Sequence, residues 1–171
     1  MNIAVFGSAF NPPSLGHKSV IERLGHFDKI LLVPSISHAW GKSMLPYNTR
    51  LEMIAAFIND LNMNNVELSM LEQDIYIPES SVTTHFLLSS LQELEKGADI
   101  TFIIGPDNLM QFGKFYKSDE IVQRWSVMAC PETVPVRSTM IRDAISKGES
   151  IAHLTTKSVI NYINTHNLYE Y

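Results

Sequence analysis

Apolar and polar residues alternate along the chain in blocks that predict strands and helices in turn. Five short apolar runs have the length and composition of β-strands: residues 2–6, 29–33, 66–69, 100–104 and 125–130. Apolar residues at helical spacing predict helices over residues 47–61 and 82–95, and the chain beyond Ser138 also has a helical pattern. Strands that alternate with such helices indicate an α/β protein with a doubly wound parallel sheet. Ligands of such a sheet bind beyond the carboxyl ends of its strands.

Composition narrows the class of protein. A chain of 171 residues that is 45% apolar can bury one core, so we expect a single domain over residues 1–171. The net charge of -5 argues against nucleic-acid binding, and the single cysteine, Cys130, argues for a reducing compartment. Apolar runs are shorter than the roughly 20 residues that cross a bilayer, and the N-terminus lacks the pattern of a signal peptide. We therefore expect a cytoplasmic protein that binds neither nucleic acid nor membranes; its oligomeric state is not readable from the sequence.

The loop after the first strand, residues 7–17, has the features of a phosphate-binding turn. Gly7 lets the backbone approach a phosphate closely, and Ser14 is placed to cap the next helix. Unpaired amides and the helix dipole favour an anion at that helix start, where His17 lies in the first turn. The alternative is an ordinary turn beside a surface histidine.

A second segment, residues 136–142, is predicted to begin a helix with a hydroxyl at its N-cap. Ser138, Thr139 and Arg142 would place hydroxyls, amides and a guanidinium at one helix start, which suits a phosphate. The alternative is an ordinary capped helix. If both segments bind phosphate, we expect them to face one ligand.

The first loop resembles the signature of the nucleotidyltransferase superfamily, in which Phe, Asn or Asp, and Pro precede a His/Thr-x-Gly-His motif. The matching residues are Phe10, Asn11, Pro12, Gly16 and His17. The second segment resembles the Ile-Ser-Ser-Thr-x-Ile-Arg motif of the nicotinate-nucleotide adenylyltransferases. The resemblance implies a Rossmann-like nucleotidyltransferase fold and an enzyme that transfers AMP from ATP to nicotinate or nicotinamide mononucleotide in NAD biosynthesis.

The resemblance also implies roles for individual residues. It implies catalytic roles for His17, Arg142 and Lys42. Contacts to ATP or phosphate are implied for Gly7, Ser8, Phe10, Ser14, Gly16, Ser138 and Thr139. Contacts to the mononucleotide are implied for Asn11, Thr83, Asp107 and Phe115. The simpler alternatives are a helix cap for Asp107, core packing for Phe115 and a solvated charge for Lys42, while Trp40 is a second aromatic candidate.

The expected reaction is an in-line attack of the mononucleotide phosphate on the α-phosphorus of ATP. Such a transfer needs positioning and charge stabilisation, and the attacking phosphate needs no general base. His17 and Arg142 would stabilise charge on the phosphates, and Lys42 would help pyrophosphate to leave. We expect Mg²⁺ as the partner of ATP, without a metal site built by the protein, and we expect Cys130 to be buried and inert.

Several departures from the family pattern leave the acceptor open. Ser14 stands where the family has His or Thr, Arg137 replaces the first serine of the second motif, and Val82 replaces the tyrosine of a Ser-Tyr-Thr segment. The connection before Ser138 is shorter than in typical members. The alternatives are a cytidylyltransferase or phosphopantetheine-type adenylyltransferase, or a non-catalytic nucleotide sensor.

Overall fold

The computed structural model describes residues 1–37 and 43–170, in which five strands form one parallel sheet. The strands are β1 (Asn2–Ser8), β2 (Lys29–Pro34), β3 (Val66–Leu68), β4 (Asp99–Ile104) and β5 (Ser126–Ala129). They lie in the order β3-β2-β1-β4-β5, and every pair of neighbours is parallel. The prediction of a doubly wound parallel sheet is confirmed.

Helices connect the strands and follow them. They are α1 (Leu15–Glu22), α2 (Tyr47–Leu61), α3 (Leu71–Ile75), α4 (Thr84–Leu94), α5 (Pro106–Met110), α6 (Ser118–Arg124), α7 (Ser138–Ser146) and α8 (Lys157–His166), with a 3₁₀ helix at Phe112–Lys114. The predicted helix over residues 47–61 matches α2, and α4 lies within the helix predicted over residues 82–95. The connection from β4 to α6 contains α5 and the 3₁₀ helix, neither of which the apolar pattern predicts. Such short helices do not repeat the helical period often enough to be read from a sequence.

The sheet is covered on both faces. Along β1, Ala4 and Phe6 point into a cluster formed with α1, α2, α7 and α8, while Ile3 and Val5 point into a second cluster formed with α3, α4 and α6. This alternation follows from the two-residue period of a strand. Both sets of side chains are buried, which explains why the strands are continuous apolar runs.

The position of the site follows from the strand order. From β1 the chain proceeds to β2 and β3 on one side, and then returns to β4 and β5 on the other side of β1. The sequence of connections therefore reverses between β1 and β4, whose carboxyl ends are adjacent because Phe6 is in register with Ile103. Such a switch point opens a crevice between the loops that leave the two strands. The loop before α1 and the start of α5 border this crevice.

Candidate functional site

The loop between β1 and α1 is fixed by a reciprocal pair of hydrogen bonds at the start of α1. Ser14 is the N-cap, and its hydroxyl accepts a hydrogen bond from the His17 amide at 3.3 Å. The Ser14 amide in turn donates to Nδ1 of His17 at 3.0 Å. This is a capping box in which a histidine takes the place usually held by Glu or Gln. The predicted cap at Ser14 is confirmed.

The same contacts define the protonation state of His17. A backbone amide can only donate, so Nδ1 is the acceptor and the ring proton of the neutral form is on Nε2. Nε2 lies 3.0 Å from the hydroxyl oxygen of Ser8, to which it donates. The rings of Phe10 and Phe6 lie 4.7 and 6.0 Å from the imidazole, measured between centroids. Burial lowers the pKa of His17 to about 4, so the ring is a neutral N–H donor at neutral pH.

The start of α7 lies against this loop. Ser138 donates from its hydroxyl to the Pro12 carbonyl at 2.6 Å, and Arg142 donates from Nη1 to the Asn11 carbonyl at 2.7 Å. Nη2 of Arg142 also contacts the Thr139 hydroxyl at 3.2 Å. Two motifs that are distant in sequence therefore meet beside the end of β1, as predicted.

The prediction of a hydroxyl cap on α7 is wrong. The N-cap is Arg137, and within the described residues its side chain makes no capping hydrogen bond. Ser138 is instead the first residue of the helix, and its hydroxyl donates to the Pro12 carbonyl. The amides at the start of α7 are consequently left without a side-chain cap, a state that suits an anion.

Gly16 is required by the contact between α1 and the segment that precedes α7. A Cβ atom built on Gly16 would lie 2.0 Å from the carbonyl oxygen of Val136 and 3.1 Å from Oε2 of Glu132. The Val136 oxygen also accepts a hydrogen bond from the Ser14 hydroxyl at 3.3 Å. The glycine of the first motif thus allows the backbone leading to the second motif to approach.

Replacing Gly16 by alanine is expected to destabilise the protein by about 1–3 kcal/mol, the usual cost of overpacking. The Val136 carbonyl must move, and activity should fall because the two motifs are pushed apart. Gly25→Ala is the matched control, since no described heavy atom lies within 4 Å of a Cβ built there. Chemical denaturation compares the two variants; equal free energies of unfolding would contradict this role for Gly16.

Three residues that were expected to contact ligand turn their side chains into the protein. Phe10, Ser14 and Asn11 have exposed fractions of 0%, 1% and 5%. The Phe10 ring packs on His17, and the Ser14 hydroxyl is used in the cap and at Val136. In this structure these side chains hold the loop and His17 in place, and their expected contacts to ligand stay predictions. Phe10 has a φ of +49°, a conformation that its sequence pattern does not reveal.

The other expected residues differ in their exposure. Gly7 is exposed at the end of β1, and Ser8 is partly buried. Asp107 is exposed in the first turn of α5, whose N-cap is Gly105, so the alternative of a helix cap at Asp107 is wrong. Lys42 and Trp40 lie outside the described residues.

Thr83 and Phe115, which are expected to contact the mononucleotide, also make contacts within the protein. Thr83 is the N-cap of α4 and accepts a hydrogen bond from the Phe86 amide at 3.1 Å, which leaves its hydroxyl able to donate. Phe115 is partly buried and lies 4.8 Å from Phe112 between ring centroids. The packing that was the alternative for Phe115 is therefore present, and the residue as a whole remains partly exposed.

The two groups of residues belong to opposite faces of the sheet. His17 and Arg142 lie on α1 and α7, which pack on one face, whereas Thr83 begins α4 and Phe115 joins the apolar cluster of the other face. Asp107 lies on α5, directly after β4. This arrangement suits a reaction in which two phosphorylated ligands approach the strand ends from opposite sides.

Arg50 is a residue of the site that sequence reasoning missed. It is 1% exposed and donates to three carbonyl oxygens: from Nε to Leu45 at 2.9 Å, and from Nη1 to Ala9 at 2.9 Å and Ser35 at 2.7 Å. It therefore holds the first loop to the end of β2 and the start of α2. A signal was present in the sequence, since Arg50 lies on the spacing of the buried residues Met53, Ile54 and Phe57.

Other concave surfaces lie away from the crevice. A cavity of about 320 Å³ includes Asp99, Ile100 and Ser126 at the amino ends of β4 and β5, and one of about 760 Å³ includes residues 62–65 before β3. We place the site by its chemistry, since neither cavity contains a predicted site residue. Among residues 1–37 and 43–170, no His, Cys, Asp and Glu side chains are grouped as three metal ligands would be. Cys130 is buried, which raises its pKa, as expected of an inert thiol.

Comparisons with known proteins find nucleotidyltransferases. The family model described as cytidylyltransferase-like matches residues 5–146. A crystal structure of a protein from Vibrio parahaemolyticus, provisionally named a nicotinate-nucleotide adenylyltransferase, is 52% identical; the match covers 98% of this chain and 94% of that one, with a TM-score of 0.88. A Myxococcus xanthus protein with the same provisional name is 28% identical over 99% of this chain and 95% of its own length.

More distant structures share the fold. The nicotinic acid mononucleotide adenylyltransferase of Plasmodium falciparum, solved in complexes with NaAD and with APC, is 18% identical with a TM-score of 0.77. The matches cover 98% of this chain and 97% and 96% of those chains. In the described part of this chain, no helix is long and apolar enough to cross a membrane.

Proposed function

Because the chain belongs to the cytidylyltransferase-like family, and within it to the nicotinate-nucleotide adenylyltransferases, we propose that it transfers AMP from ATP to nicotinate mononucleotide. Pyrophosphate is the second product, and the dinucleotide formed is a precursor of NAD. The observation that carries the proposal is the junction of the two phosphate-type motifs, where Arg142 and Ser138 bind the carbonyls of Asn11 and Pro12 beside His17.

The chemistry is one in-line displacement. An oxygen of the mononucleotide phosphate forms a bond to the α-phosphorus of ATP, and the bond from that phosphorus to the β-bridging oxygen breaks. A phosphate is already ionised at neutral pH, so no residue has to remove a proton from it. Mg²⁺ enters as part of the substrate MgATP, and the protein contributes position and charge stabilisation.

The residues act on the phosphates through hydrogen bonds and charge. His17 offers the Nε2 proton that it gives to Ser8 when no phosphate is bound. The guanidinium of Arg142 supplies positive charge, and the uncapped amides at Ser138 and Thr139 supply further donors. Lys42 remains a proposed partner of the leaving pyrophosphate. The neutrality of His17 means that Arg142 carries the positive charge of this pair at neutral pH.

The mononucleotide is proposed to bind near α4 and α5, on the side of the strand ends opposite to α1 and α7. Thr83, Asp107 and Phe115 are proposed to bind the mononucleotide, with the ring of the partly exposed Phe115 against the pyridine. The backbone N–H groups at the start of α4 favour an anionic group. This supports nicotinate mononucleotide, which has a carboxylate, over nicotinamide mononucleotide as the substrate. The names of the Vibrio and Myxococcus relatives support the same choice.

Pyrophosphate release from MgATP with four acceptor conditions tests this function. We expect release with nicotinate mononucleotide, with kcat/KM about tenfold or more above that for nicotinamide mononucleotide, and background rates with phosphopantetheine or no acceptor. A preference for the amide would refute the choice of acid. Saturable binding of ATP without release in any condition would indicate a nucleotide sensor, and would contradict the proposed enzyme.

A further inference from the structure

The segment after α8 contacts the loop between β1 and α1. Helix α8 is held on α2 by Asp60, whose carboxylate accepts hydrogen bonds from the Ser158 amide at 2.8 Å and the Ser158 hydroxyl at 2.6 Å. Beyond α8, Asn167 and Tyr169 both have a left-handed backbone, with φ of +51° and +62°. These two reversals turn the chain so that Tyr169 is 3% exposed. For a tyrosine this backbone is unfavourable, and the surrounding packing has to maintain it.

The hydroxyl of Tyr169 is bonded to a residue of the first motif. It donates to Oδ1 of Asn11 at 2.7 Å. The same oxygen accepts a hydrogen bond from the Leu45 amide at 3.3 Å. Because a carboxamide oxygen has two lone pairs, these two donors occupy it fully and fix the orientation of the Asn11 side chain. Arg50 supports the arrangement by binding the Leu45 carbonyl.

Asn11 passes this restraint to Arg142. Its carbonyl oxygen accepts a hydrogen bond from Nη1 of Arg142 at 2.7 Å. The side chain of Asn11 is therefore held from the C-terminal segment, while its backbone holds the guanidinium. The path from Tyr169 to Arg142 consists of two short hydrogen bonds joined by one residue that is 5% exposed.

We propose that Tyr169 is a positioning residue for nucleotidyl transfer, holding Asn11 so that its carbonyl aims the Arg142 guanidinium at the reacting phosphates. The inference rests on the function proposed above, and it assigns to the C-terminal segment a part in catalysis through Asn11. Misplacement of a catalytic group by about 1 Å can cost on the order of 10²-fold in rate, so the loss of one restraining bond has a measurable effect.

The test uses two substitutions of the same kind. Tyr169→Phe removes only the hydroxyl. Tyr162→Phe is the matched control, because the Tyr162 hydroxyl donates to Glu52 at the exposed contact between α8 and α2. We expect Tyr169→Phe to lower kcat for pyrophosphate release about tenfold with KM for MgATP nearly unchanged. We expect Tyr162→Phe to leave both unchanged, and both variants to unfold within about 4 °C of the wild type.

A double-mutant cycle separates positioning from general loosening. In an Arg142→Ala background, Tyr169→Phe should have little further effect on kcat, because its effect acts through that guanidinium. Equal kcat values for Tyr169→Phe and Tyr162→Phe would overturn the proposal. So would a full tenfold effect of Tyr169→Phe in the Arg142→Ala background.

Amide hydrogen exchange provides a measurement that does not need turnover. Tyr169→Phe should accelerate exchange at the amides of residues 9–11, Ser14 and Leu45 relative to Tyr162→Phe, since the Leu45 amide shares the Asn11 oxygen. Unchanged exchange there would refute the restraint itself. A wild-type protein that is inactive with every acceptor would instead refute the proposed function, so the two failures are distinguishable.

Discussion

His17→Ala is expected to lower kcat for pyrophosphate release about 10²- to 10³-fold, the usual cost of removing one donor that stabilises transition-state charge. The structure gives the reason: the Ser14 amide fixes the tautomer of His17, and its Nε2 proton is directed to the end of β1 at Ser8. Because burial lowers the pKa of His17 to about 4, the ring acts as a neutral donor, and its contribution should be constant from pH 6 to 8. Steady-state kinetics with saturating MgATP measures the loss.

A second variant separates catalysis from folding. His17 also completes the capping box of α1, so His17→Ala is expected to lose about 1 kcal/mol of stability. Gln at position 17 can complete the capping box, but it has no imidazole ring to direct an N–H donor as Nε2 of His17 does. His17→Gln should therefore unfold close to the wild-type temperature and remain as inactive as His17→Ala. Activity within a few-fold of wild type in either variant would rule out the assigned role.

Arg50→Met is expected to cost at least about 3 kcal/mol of stability, because it leaves three carbonyls without their buried donor at about 1–3 kcal/mol each. Met is chosen because its unbranched side chain fills part of the same space. For a chain of this length the change corresponds to a fall of roughly 6–12 °C in melting temperature. Thermal and chemical denaturation both measure it.

The control for Arg50 is Arg23→Met, which removes an exposed arginine at the end of α1. We expect that substitution to change stability by less than about 0.5 kcal/mol. Arg50→Lys adds a second comparison, since it keeps the charge but cannot reproduce the fork that binds Leu45, Ala9 and Ser35 together. Equal stabilities of Arg50→Met and Arg23→Met would contradict this role for Arg50.

The sheet and the junction of the motifs were predictable because both depend on regular patterns. Buried parallel strands are apolar runs, and two motifs that each begin a helix after a strand come together at one edge of the sheet. The contact of Arg142 with the Asn11 carbonyl follows that expectation. The fold class was therefore predicted correctly, and the predicted helix over residues 47–61 matches α2.

The orientation of individual side chains was not predictable in the same way. Phe10, Asn11 and Ser14 match a ligand-binding signature, yet their side chains face inward because the loop needs its own hydrogen bonds and packing. The helical spacing of Arg50 indicates that it is buried. Arg50 and Tyr169 nevertheless have partners that are distant in sequence, and no periodic pattern reveals which groups they bind. Tertiary contacts of single polar groups decide these positions, and local pattern does not record them.

The proposed reaction joins the α-phosphate of ATP to the phosphate of a pyridine mononucleotide. The most direct measurement follows the label from α-³²P ATP in the presence of Mg²⁺ and nicotinate mononucleotide. We expect label to appear in a dinucleotide that co-migrates with nicotinate adenine dinucleotide, in an amount equal to the pyrophosphate released. Label that remains in ATP, or that appears as free AMP or ADP, would contradict it.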